Sequence, residues 1–102
     1  MVPGSIPTAA ALEDVVAAIG GRCDVYVDGG IRSGADVLRA LALGAKAVMV
    51  GRPVWWGLGI DGEAGVVAVL DAYRDDLERM MVKCGVDDVR AVPRDLVCVN
   101  RW

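Results

Sequence analysis

The chain has 102 residues, 55% of them hydrophobic, and its 11 Lys and Arg against 14 Asp and Glu leave a net charge of −3, the balance of one globular unit rather than a disordered segment. Its basic residues are scattered, with no stripe to neutralise phosphates or anionic lipid, so nucleic acid and membrane surfaces are not expected partners. No apolar run approaches the roughly 20 residues of a membrane-spanning helix, and the absence of histidine removes the commonest general acid or base.

Residues 9–19 are expected to form a helix, with Leu12, Val15, Val16 and Ile19 inward, Glu13 and Asp14 outward, and Gly20-Gly21 as the stop. A strand is expected over 24–27, running into Asp28-Gly29-Gly30. Ser33 then begins a helix over 34–43, with Val37, Leu38, Leu41 and Ala42 inward and Gly44 at its end. The cycle repeats with a fully apolar strand over 47–50 and a loop, Gly51-Arg52-Pro53. Such apolar strands belong to parallel sheets buried on both faces. Val54 to Leu58 forms a helical turn, and 62–84 a long amphipathic helix with Val66, Val69, Leu70, Tyr73, Leu77 and Met80 or Met81 on its core side. Asp75, Asp76, Glu78 and Arg79 are assigned to its wet face. The tail, 86–102, is expected to hold a short helix over 87–92 and then an irregular end.

The fold class is therefore α/β, built of two strand-to-helix units. Two parallel strands alone leave two open edges, so the piece is expected to belong to a larger sheet or barrel and to be incomplete on its own. Cys23, Cys84 and Cys98 are odd in number and lack CxxC spacing, which points to reduced thiols and no metal site. The start, Met1-Val2-Pro3-Gly4-Ser5, lacks the basic and apolar regions of a secretory signal, so an intracellular location is expected.

Two loops carry the chemistry. Asp28-Gly29-Gly30-Ile31-Arg32 lies at a strand's C-terminal end before a helix. Paired glycines allow close backbone approach, the turn and helix N-terminus offer amides, and Arg32 can add a charged contact, so an anion is the natural occupant. The alternative is a tight turn beside a solvated arginine. Gly51-Arg52-Pro53 repeats the pattern one unit later, with Pro53 where a helix starts. In eight-stranded βα barrels the loops after the last two strands commonly share a phosphate site. Two such loops are more specific than either alone.

The run from Val25 to Lys46, with Gly51-Arg52-Pro53 and Gly62-Glu63-Ala64-Gly65-Val66, resembles the FMN-dependent 2-hydroxy-acid oxidases, the glycolate oxidase family. The likeness extends from Val2 to about Leu96 and is strongest between Val25 and Val66. The resemblance implies the last two βα units and C-terminal helix of a TIM (β/α)8 barrel, with FMN as cofactor and a 2-hydroxy acid as substrate. It further implies that Asp28, Gly29, Gly30, Ile31 and Arg32 form one FMN phosphate segment and Gly51 and Arg52 the other. Asp28 either fixes the loop, reaches the ribityl hydroxyls, or caps the next helix.

In this family a His-Gly-Gly-Arg-Gln-Leu-Asp motif, which takes the substrate proton and clamps its carboxylate, directly precedes the counterpart of Val2-Pro3-Gly4-Ser5-Ile6. The chain is expected to start downstream of that motif, to contain no catalytic residue and to be inactive alone; residues 7–10 add a short insertion. The resemblance also implies a homo-oligomer when complete, and a cytoplasmic or peroxisomal location, although Asn100-Arg101-Trp102 is no clear peroxisomal signal. The rival readings are another phosphate-binding barrel, of the inosine-monophosphate dehydrogenase or type 2 isopentenyl-diphosphate isomerase kind, or a non-catalytic, partner-binding remnant. The segment Gly62 to Val66 favours the oxidases. Trp55 and Trp56 are expected to pack as an apolar turn under a barrel rim rather than to stack on a ligand, Glu63 to stabilise a helix start, Tyr73 to lie in the core and Lys46 on the surface.

Overall fold

The computed structural model describes residues 8–97. The expectations for Val2 to Pro7, for Cys98 and for Asn100 to Trp102 therefore lie outside the described residues. Helix α1 spans Thr8–Ile19, strand β1 Tyr26–Asp28, helix α2 Gly34–Ala42, strand β2 Ala47–Met49 and helix α3 Arg52–Cys84, followed by one 3-10 turn at Arg94–Leu96.

The strands pair in parallel, Tyr26 with Ala47, Val27 with Val48 and Asp28 with Met49. The first strand thus sits nearer its loop than the expected 24–27: the partner offers only three residues, and the ladder ends opposite Met49. Helix α1 lies on β1, α2 on β2, and α3 on α2. Leu12, Val27, Ile31, Ala40 and Ala45 form the buried core, with Val16, Val37, Val48 and Tyr73 packed around it. The strands are covered on one face only. Val27 is 2% exposed, whereas its neighbour Tyr26 is 61% and Met49 55%, because alternate side chains of a strand point to opposite faces. Val15 and Leu70, expected inward, are exposed, since no described element reaches that side of their helices.

The end of α1 is held by Arg22, whose guanidinium donates to the carbonyls of Ile19 at 2.8 Å and Ala18 at 3.0 Å. A cation at a helix C-terminus also complements the dipole.

The expected turn at 54–58 and helix at 62–84 are one element broken at Asp61 and Gly62, where Gly62 adopts φ 56 and ψ −136. Only glycine tolerates that conformation readily. The break brings the arm 52–60 against the start of the arm 63–84, where Gly57 and Gly65 meet backbone to backbone; a methyl on Gly65 would overlap the Gly57 carbonyl. The short helix expected over 87–92 is a turn instead, stabilised by Asp88, whose carboxylate accepts from the Arg90 amide at 2.9 Å and from its guanidinium. An aspartate that bonds the backbone two residues on favours a turn over a helix. These bonds also hold the Asp88 carboxyl below the usual carboxylate range.

Candidate functional site

At the end of β1, Gly29 and Gly30 have φ 99 and 75. The left-handed region is where residues with a Cβ are disfavoured, and at Gly30 the space a Cβ would occupy is open. The doublet turns the chain so that Ile31 drops into the core, 7% exposed, while Arg32 stays at the surface.

The start of α2 is closed by side chains. Ser33 is the N-cap, its hydroxyl accepting from the Asp36 amide at 3.2 Å, while Asp36 accepts from the Arg32 amide at 3.0 Å. This is close to a reciprocal capping box. From α3, Asp76 accepts from the Ala35 amide at 3.1 Å. Two expectations are corrected here. Asp28 does not cap α2, because Ser33 occupies that role. Nor can the Ala35 and Asp36 amides at the tip of α2 serve an anion, because Asp76 and Ser33 already hold them.

The tip of α3 is built differently. Gly51 is the N-cap of α3 with no side-chain cap, and its carbonyl accepts from the Val54 and Trp55 amides at 3.0 and 3.2 Å. Pro53, in the first turn, has no N–H to satisfy. The Arg52 amide therefore leads the helix, in the positive end of its dipole, with an exposed arginine side chain attached.

Because β1 and β2 are parallel neighbours, both loops leave the same end of the sheet. They line a single cleft of about 540 Å³ that takes in Asp28, Gly29, Gly30, Ile31 and Arg32 from the first loop and Gly51 and Arg52 from the second. All seven residues singled out in the sequence are thus brought together. The Arg32 guanidinium leans towards the second loop's helix and lies 5.6 Å from the centre of the Trp56 ring. Asp36 also faces the cleft, and its charge is answered by Arg39 at 2.8 Å. The donor set fits an anion: two arginines without a carboxylate partner among the described residues, a glycine doublet and an uncapped helix tip. A larger cavity of about 610 Å³, among Val16, Val25, Lys46 and Val92, contains neither loop.

Four side chains depart from the expectations or add to them. Trp55 and Trp56 are 71% and 57% exposed among the described residues, and Trp56 carries Arg32 on its ring. Asp76 faces α2, not solvent. Tyr73 is more than filler: its hydroxyl donates to the Ile31 carbonyl at 2.6 Å. Burial raises the Tyr73 pKa above its usual value, Arg32 partly opposing and Asp36 adding to the rise. The spacing of Tyr73 and Asp76, three residues apart on a helix, was the available signal that both share a face.

The FMN-dependent dehydrogenase family model matches residues 2–99. The chain is 50% identical over 100 residues to 2-hydroxyacid oxidase 2 of Bos taurus, covering 98% of this chain and 28% of that protein. It is 53% identical over 90 residues to the peroxisomal (S)-2-hydroxy-acid oxidase GLO4 of Oryza sativa subsp. japonica, covering 88% and 25%. A solved mandelate oxidase mutant carrying the monooxide FMN adduct superposes with a TM-score of 0.87 and 46% identity, covering 92% of this chain and 30% of that one. The chain thus spans little more than a quarter of the length of these relatives.

Proposed function

Since the chain belongs to the FMN-dependent dehydrogenase family, we propose that its two glycine-arginine loops hold the phosphate of FMN, in a protein that oxidises a 2-hydroxy acid to the 2-oxo acid with oxygen reduced to hydrogen peroxide. The observation that carries this reading is the convergence of both loops on one cleft at the same end of a parallel pair. In this reading the chain contributes the last two βα units and the closing helix of a (β/α)8 barrel, whose remaining strands pair with the free edges of β1 and β2. The complete protein is read as an intracellular homo-oligomer, cytoplasmic or peroxisomal; the rice relative's description as peroxisomal supports the latter.

FMN, when bound, supplies the acceptor for the substrate's hydride. The chain's own residues do something narrower. Arg32 and Arg52 neutralise the phosphate, the glycine doublet lets the backbone approach it, and the uncapped tip of α3 adds its dipole. Asp28, beside the doublet, is the acceptor available for cofactor hydroxyls. With no histidine in these 102 residues, the chain offers no imidazole to take the substrate proton, and its part is anchoring. Identity of about half with 2-hydroxyacid oxidases favours this reading over other phosphate-binding barrels.

The test is a pair of titrations of the full chain, followed by flavin fluorescence, with FMN and with riboflavin, which lacks the phosphate. FMN binding clearly tighter than riboflavin supports the reading; equal affinities, or no binding of either, refute it.

A further inference from the structure

We propose that Tyr73 is a positioning residue for the phosphate site, setting the direction of Arg32 by pinning the peptide that precedes it. This rests on the reading of the two loops as a phosphate site and names a residue that acts on it from outside the cleft.

The peptide joining Ile31 to Arg32 is held at both ends. Its carbonyl oxygen accepts from the Tyr73 hydroxyl at 2.6 Å, and its N–H donates to Asp36 at 3.0 Å. A trans peptide is a rigid plane with the two groups on opposite sides, so fixing both removes its freedom to rotate. The peptides just before it belong to a glycine doublet, whose backbone is otherwise the most permissive in the chain. A tether immediately after such a doublet is where one bond restricts most.

The tether also joins the two loops mechanically. Tyr73 sits on the arm 63–84 of α3, and the other end of α3 is the second loop itself, Gly51-Arg52. One turn further on, Asp76 holds the Ala35 amide, and Gly34 packs so closely that a methyl there would overlap the Leu77 backbone. Helix α3, broken at Asp61 and Gly62 with its two arms packed at Gly57 and Gly65, thus starts at one phosphate loop and grips the other. A phenylalanine at 73 would fill the same space and lose only the grip.

The experiment is a double-mutant cycle in the full chain with Tyr73→Phe and Arg32→Ala, each titrated with FMN and riboflavin. The expected result is that Tyr73→Phe weakens FMN binding about 2- to 10-fold, the loss of one neutral hydrogen bond, and leaves riboflavin unchanged. In the Arg32→Ala background the same substitution should have no further effect, because the residue it positions is gone. Unchanged FMN affinity, an equal loss for riboflavin, or the same loss in both backgrounds would overturn the proposal. A Tyr73→Phe chain that no longer gives the wild-type circular dichroism would also overturn it, by showing that the hydroxyl holds the fold rather than one loop. If wild type does not prefer FMN to riboflavin, the phosphate reading itself has failed and this inference falls with it; if it does, the cycle judges Tyr73 alone.

Discussion

Replacing Arg32 by alanine should weaken FMN binding about 5- to 30-fold while leaving riboflavin binding unchanged. A hydrogen bond from a charged donor to a charged acceptor contributes about 1.5–3 kcal/mol. Against that stands the contact Arg32 already makes in the free chain: its guanidinium lies 5.6 Å from the centre of the Trp56 ring, and the ring is 57% exposed. An exposed cation–π contact contributes about 0.5–1 kcal/mol. A guanidinium that turns from the ring to a phosphate gives up much of it, so the net loss on truncation is about 1–2 kcal/mol, or the 5- to 30-fold stated. Arg32→Lys, which keeps the charge but not the planar fork, should fall between wild type and alanine. Flavin fluorescence titration at fixed ionic strength gives both dissociation constants, and wild-type tryptophan emission should shift with FMN as Arg32 leaves Trp56. An Arg32→Ala chain that binds FMN as wild type does, or loses riboflavin to the same extent, would show that Arg32 is a solvated side chain beside a turn.

Gly34→Ala should destabilise the chain by about 1–3 kcal/mol, the usual penalty for overpacking, because the added methyl meets the backbone of Asp76 and Leu77 rather than a movable side chain; urea unfolding measures it. The Tyr73 pKa is raised above its ordinary value near 10, so the stabilising effect is full below that value and is lost as pH climbs through the folded-state pKa, where ionisation also abolishes the donor to Ile31. Stability above pH ~10 should therefore fall less steeply in Tyr73→Phe than in wild type, and parallel curves would count against it. The purified chain should sediment as a self-associated species, because among the described residues no further strand pairs with the outer edges of β1 and β2, and Tyr26, Met49, Trp55 and Ile60 are exposed; a cooperative monomer would contradict this. With FMN added, it should form no peroxide from a 2-hydroxy acid at rates near a complete oxidase, since losing a general base costs about 100- to 10,000-fold; turnover at such rates would overturn the assignment of anchoring alone.

Much of this molecule is written in local signals. The alternation of helix and strand follows from three- and four-residue spacing in one case and short apolar runs in the other, and both are properties of neighbouring residues. Glycine doublets and glycine-arginine pairs at strand ends are local too, so the two loops are legible in the sequence alone, as is the family. Parallel pairing of consecutive strands then obliges both loops to leave one end of the sheet.

What only the tertiary structure decided is which partner each face meets. Periodicity puts Tyr73 and Asp76 on one side of α3 but cannot say that the N-terminus of α2 lies there, and Asp76, read as a solvent-facing charge, caps that helix instead. The Tyr73 hydroxyl finds a carbonyl 42 residues away. The α2 tip looked like an anion site by position alone, yet two of its amides are taken by side chains, one of them, Asp76, distant in sequence. The apolar strands implied burial on both faces, yet one face of Tyr26 and Met49 stays open, because hydrophobicity records the surface a strand needs covered, and only the assembled elements determine what covers it.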